Sequence, residues 1–124
     1  MTNLGVAPEV VDTPSASGLG QKIARCPECR VAVWSNYAGA GPIVKFVRVG
    51  TLDNPDSLPP DIHIFIQSKQ PWVVLPEGIP AVPEYYEREK YWPSESLARI
   101  HDLRSQIKAY KESMRHADRS GTGC

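Results

Sequence analysis

Residues 25–37 read Arg-Cys-Pro-Glu-Cys-Arg-Val-Ala-Val-Trp-Ser-Asn-Tyr. The first half is a close-spaced cysteine pair, Cys26-Pro27-Glu28-Cys29. The second half, Val31 to Tyr37, is rich in β-branched and aromatic residues and reads as a strand. Ala38-Gly39-Ala40-Gly41-Pro42 reads as a turn by composition. Ile43 to Val49 reads as a second strand, expected to pair with the first as an antiparallel hairpin. The chain is therefore expected to be a small β structure built outward from a cysteine turn.

The cysteine pair is the strongest chemical signal. A Cys-x-x-Cys turn lets two thiolates converge on one tetrahedral metal, and its backbone amides point at the sulfurs and stabilise their charge. Zinc is the default metal for thiolate ligands in a reducing compartment. Two other readings stand beside it: unligated thiols, and a redox pair. Redox enzymes place the first cysteine of Cys-Pro-x-Cys at a helix N-terminus, whose dipole lowers its pKa. Here a strand-forming run follows Cys29, so the redox reading lacks that mechanism.

Outward from this centre, Ile62 to Gln67 alternates, with Ile62, Ile64 and Ile66 on one face. Trp72 to Leu75 reads as a further short strand after Pro71. The chain holds 12 prolines, and Pro76, Pro80 and Pro83 break the next segment into extended pieces. The fold class is expected to be mainly β, with small antiparallel sheets and one C-terminal helix. Trp92-Pro93-Ser94 reads as the helix start, with Ser94 as cap. Leu97, Ile100, Leu103, Ile107, Tyr110 and Met114 then form one apolar stripe. The organisation expected is a loose lead-in over 1–20, a β domain over 21–93, the helix over 94–117 and a flexible tail over 118–124.

Composition bounds the partners. Lysine plus arginine equals aspartate plus glutamate at 14 each, so no general charge draws the chain to nucleic acid or an anionic membrane. From Arg99 to Arg119 there are six basic and three acidic residues, which reads as a solvated helix face. No apolar run reaches the ~20 residues of a membrane span, and the N-terminus does not read as a signal peptide. Three cysteines, two of them close-spaced, are not a disulfide framework. A cytoplasmic location is expected, with neither nucleic acid nor membrane as partner.

Five ordered pieces carry a resemblance. They are Arg25-Cys26-Pro27-Glu28-Cys29, the strand ending at Trp34-Ser35-Asn36-Tyr37, Val49-Gly50-Thr51-Leu52-Asp53, Pro60-Asp61-Ile62-His63-Ile64-Phe65, and Ser68-Lys69-Gln70-Pro71-Trp72. In these the chain resembles the glutathione-dependent formaldehyde-activating enzyme family, which includes centromere protein V. The lead-in Thr13 to Gln21 looks most like fungal members. The resemblance implies a β-tent fold around a zinc knuckle and carbon–sulfur lyase chemistry on a glutathione or related thiol adduct. It implies a structural zinc held by four cysteines, two of them matching Cys26 and Cys29. It also implies a separate upstream Cys-x-Cys-x-x-Cys cluster for a catalytic zinc that acts as a Lewis acid.

The chain departs from that pattern, because no cysteine precedes Cys26. It reads as lacking the N-terminal part of the family domain. Only Cys26 and Cys29 carry over, as ligands of an incomplete structural zinc site, and no catalytic residue can be assigned. The alternative function is then a truncated, inactive zinc-knuckle interaction domain. Arg30 stands where the family has glycine, and a positive φ there costs an arginine free energy.

Candidates to complete the site are weak. His63 lies opposite the isoleucine face and reads as a packed or solvent-side residue. His101 and His116 fall off the apolar stripe of the helix. Cys124 reads as a spare exposed thiol. Asp53, Asp56 and Asp61 sit among turn residues, where aspartate bonds its own backbone. A second copy could supply the missing ligands, so a homodimer is expected through a shared zinc or an exposed sheet edge. The isolated chain is expected to be marginally stable, dimeric or aggregation-prone.

Overall fold

The structure is a computed structural model that describes residues 5–120, with side chains described as far as residue 115. The expectations for Cys124, for the His116 side chain and for the extreme C-terminal tail lie outside the described residues. Two compact units are present: one takes in the chain up to Asp53 and again from Asp102, the other runs from Asn54 to His101. The unit boundary at Asn54 falls inside the single β domain read over 21–93.

The first unit is built on a four-stranded antiparallel sheet. Its strands are β1 (Glu9–Thr13), β2 (Gln21–Arg25), β3 (Ala32–Tyr37) and β4 (Phe46–Val47), in spatial order β1-β2-β3-β4. The expected hairpin is present, with Trp34 opposite Val47 and Ser35 opposite Phe46. It is shorter than its composition suggested. A 3-10 turn at Gly41–Ile43 takes the start of the expected strand, and the Asn36 side-chain amide donates to the Val44 carbonyl at 2.8 Å where a ladder bond would otherwise fall. The lead-in, in turn, holds β1, paired with β2 from Glu9–Arg25 to Thr13–Gln21. Glu-Val-Val-Asp-Thr is three-fifths β-branched, and three β-branched residues suffice once a neighbouring strand offers a partner.

The core sits at the centre of β2 and β3. Ile23 faces Ser35 and Ala24 faces Trp34, and all four are buried. Consecutive buried residues on both strands mean that the sheet is covered on both faces there. Ser35 is only 1% exposed. Its hydroxyl accepts a bond from Arg48 Nη2 at 3.2 Å, which meets the demand of a buried polar group. Lys45 Nζ lies 4.4 Å from the Trp34 ring centroid, a cation–π contact. Tyr37 and Phe46 meet edge to face at 4.8 Å, a diagonal cross-strand pair.

The second unit is mostly turns. The strand expected over Ile62 to Gln67 is reduced to one bridge, between His63 and Ala81. Phe65 takes φ 54°, and a 3-10 turn, Ile66–Ser68, follows. The facing stretch contains Pro80 and Pro83, which accept bonds from His63 and Gln67 but have no N–H to return. The strand expected at Trp72 to Leu75 is also absent. Trp72 is 78% exposed, and a turn bond joins the Val73 amide to the Gln70 carbonyl. A short helix, α1 (Arg88–Tyr91), lies beside an aromatic group in which Tyr85 stacks on Tyr86 and Trp92 Nε1 donates to Tyr86 Oη at 2.6 Å.

The C-terminal helix, α2 (Ser94–Ser120), starts where the sequence placed it. Its cap differs: the amides of Ser96 and Leu97 both donate to the Pro93 carbonyl, so Pro93 caps and Ser94 is the first helical residue. Ile100 is buried and Leu97, Leu103, Ile107 and Tyr110 are half-buried, as the expected stripe requires, but Met114 at its end is exposed. With 27 residues, α2 alone outnumbers the four strands, so the fold is a small antiparallel sheet with one long helix and not mainly β. Among the described residues no helix is long and apolar enough to cross a membrane.

Candidate metal centre

Cys26 to Arg30 form the turn that joins β2 to β3. Two bonds of 2.9 Å close it: the Cys26 amide donates to the Val31 carbonyl, and the Arg30 amide to the Cys26 carbonyl. Arg30 takes φ 66°, the left-handed conformation that the glycine position demanded. That single residue turns the chain from the cysteine loop into β3. Pro27 fits the loop because neither closing bond needs its nitrogen.

The Cys26 thiol is held below the ordinary thiol range, first by the Cys29 amide, then by the Glu28 amide and the Cys29 thiol. Both cysteines lie within this one closed turn. Cys26 is half-buried, Cys29 is exposed, and neither is in a disulfide. The residue after the turn enters a strand and not a helix, so the dipole that a redox cysteine uses is absent here.

Neighbouring side chains brace the loop. Arg25 Nη1 donates to the Arg30 carbonyl at 3.0 Å, and the Arg30 guanidinium pairs with the Glu9 carboxylate on β1. Sequence reasoning did not single out Glu9 as a partner, because the pairing depends on β1 lying beside β2. The Glu-Val-Val-Asp-Thr run was the available signal. Both members of the Arg30–Glu9 pair are more than half exposed, so it positions more than it stabilises.

The turn offers two free thiols, half the number of donors that a tetrahedral thiolate site needs. Among the described residues no group of three or more His, Cys, Asp or Glu side chains is arranged to hold a metal. His63 belongs to the second unit, where its backbone bridges to Ala81 and its Nε2 is buried without a hydrogen-bond partner. His101 is exposed on α2. Neither joins the cysteines in a metal-holding group.

A cavity of about 670 Å³ lies elsewhere in the first unit, among Lys22, Asn36, Tyr37, Gly41, Tyr110 and Met114. Its volume is in the range of small-molecule sites. It adjoins the Gln21–Tyr37 end of the β2–β3 ladder, whereas the cysteine turn caps the Arg25–Ala32 end. Four residue steps along a strand separate the two ends by roughly 13 Å.

Fold and site together define a small antiparallel-sheet protein that carries a Cys-x-x-Cys hairpin turn. The family model of the glutathione-dependent formaldehyde-activating enzyme matches residues 2–68, more than half of the 124. The chain belongs to that family. No curated protein and no solved structure matches it.

Proposed function

We propose that this chain is a zinc-binding member of the formaldehyde-activating family, in which Cys26 and Cys29 hold a structural ion. The observation that supports this is the turn itself: two cysteines in one closed turn, amides that hold the Cys26 thiol below its ordinary range, and a left-handed Arg30 in the family's glycine position. Bound zinc would pin β2 to β3 at their turn. The reaction implied by membership is carbon–sulfur lyase chemistry on a glutathione or related thiol adduct, in the cytoplasm. The cavity beside Lys22 and Tyr110 is the candidate seat for such an adduct. At roughly 13 Å along the strands, an ion on Cys26 and Cys29 is too far away to polarise it, which favours a structural role for the pair.

A second reading is a non-catalytic zinc-knuckle interaction domain. It is favoured by the lack, among the described residues, of any second metal-holding group. Two measurements separate the readings. Metal analysis of the purified chain is expected to find zinc that is lost in Cys26→Ser; a metal-free protein after zinc loading would refute the proposal. Zinc-loaded protein is then mixed with glutathione and formaldehyde, and adduct formation is followed by proton NMR. Acceleration over the uncatalysed rate selects the lyase, and an unchanged rate selects the interaction domain.

A further inference from the structure

We infer that the cavity bounded by the β1–β2 loop, β3 and α2 takes a small, uncharged, mainly apolar molecule, so that the adduct of an apolar thiol is seated there more tightly than that of glutathione. The step from ligand to thiol rests on the reading of this cavity as the adduct's seat. The lining carries the class of ligand. Leu19, Tyr37, Pro42, Tyr110 and Met114 give the wall its apolar character. The two charges of the lining, Asp12 and Lys22, pair with each other at 2.7 Å. The Asn36 side-chain amide is already committed to the Val44 carbonyl. A glutathione adduct brings two carboxylates and one ammonium, and this lining offers no cation free of its own counter-ion. A charge taken from water without a partner is costly, whereas an apolar group gains from the same transfer.

Leu19 supplies a second observation. It is 75% exposed, yet the loop that carries it is closed by its own hydrogen bonds. The Gly18 amide donates to the Ser15 carbonyl at 3.0 Å, the Leu19 amide to Ser17 Oγ at 3.3 Å and the Gly20 amide to Ser15 Oγ at 3.1 Å. The loop thereby fixes a large apolar side chain in water at the edge of the cavity. Tyr37 and Met114, on the same lining, are exposed as well. Single exposed apolar residues are ordinary, but several gathered around one concavity mark a binding site. The volume of about 670 Å³ suits one small molecule. Such a molecule shields these side chains from water and asks for no counter-charge.

The test is a titration of the full chain, followed by amide NMR shifts, with benzyl methyl sulfide and with S-methylglutathione. These are unreactive thioethers of an apolar and of a charged thiol. The expected result is saturable shifts at Leu19, Gly20 and Gly41 with the sulfide, and binding of S-methylglutathione weaker by about ten-fold or more. Leu19→Asp and Met114→Gln should each weaken the sulfide by about five-fold or more. Both positions are exposed, so neither change removes a buried contact, and far-UV circular dichroism checks that each variant folds. S-methylglutathione that binds at the same amides as tightly as the sulfide, and is lost in Lys22→Gln, overturns the apolar class and leaves the seat reading standing. Sulfide binding that both Leu19→Asp and Met114→Gln leave intact also overturns the inference. So does a dimer, seen by sedimentation, that Leu19→Asp dissolves, since a second copy then covers the patch. If neither ligand shifts these amides, the inference and the seat reading both fall.

Discussion

Arg30 carries the conformational cost of the cysteine turn. A non-glycine residue in the left-handed region costs about 1 kcal/mol or more, and at φ 66° this arginine bears it next to a strand that begins two residues later. Its ion pair with Glu9 is surface-exposed and offsets at most a part of that. Comparing Arg30→Gly with Arg30→Ala isolates the backbone term, since both remove the ion pair. The glycine variant should be more stable by about 1 kcal/mol in urea unfolding; equal midpoints would show that the turn is not strained. At Cys26 the amide bonds favour the thiolate. The folded pKa is depressed, so in the metal-free protein the resulting stabilisation is present above the unfolded thiol value and lost as pH falls through the folded one. Alkylation by iodoacetamide should accordingly show a lower pH midpoint for Cys26 in the folded chain than in urea. Coincident midpoints would mean that the amides do not reach the sulfur.

Among the elements of the first unit, β2 and β3 carry the buried residues, and α2 meets them through Tyr110. Gly41 is buried at φ 56°, and a Cβ there would overlap the Tyr110 ring on α2. Gly41→Ala combines a left-handed penalty with overpacking and should cost about 2–4 kcal/mol, measured by urea unfolding. A change under 0.5 kcal/mol would mean that the 3-10 turn can move away from the ring at little cost. β3 and α2 were also the most legible elements. A run of β-branched and aromatic residues and an apolar helical stripe are local signals, and in these two elements the neighbouring chain agrees with them. β1 was hidden because its stability comes from β2, not from its own composition. Ile62 to Gln67 alternates well, yet the prolines opposite it deny the ladder its donors, and periodicity within one segment carries no information about its neighbour. The cysteine turn was legible from Cys26, Cys29 and the Arg30 position alone. Its bracing by Glu9 was not, because that contact spans 21 residues.

At the scale of the whole molecule, burial is slight. Ile23, Ala24, Trp34 and Ile100 are the buried apolar side chains among the described residues, while Trp72, Val74 and Leu19 are largely exposed. A chain with so small a core gains disproportionately from a bound ion, as small domains do. Zinc at about one hundred times its dissociation constant should add about 2.7 kcal/mol, equivalent to roughly 10 °C or more in Tm for a chain of this size. Chelation followed by scanning calorimetry reads this directly, and an unchanged Tm would show that the turn does not support the fold. The family match ends at residue 68, so α2 lies wholly beyond it.

The three tryptophans divide cleanly, and this gives the sheet its own optical probe. Trp34 is the tryptophan of the first unit, 7% exposed and held under Lys45, whereas Trp72 and Trp92 belong to the second. Trp34 also faces Ala24, one pair in from the residues that frame the cysteine turn. In a Trp72→Phe, Trp92→Phe background, all indole emission comes from the strand that a metal at the turn would tighten. That emission should be blue-shifted and resistant to iodide, and chelation should move it to the red and open it to quenching. Ordering at the hairpin tip would thus be read as light from within the sheet.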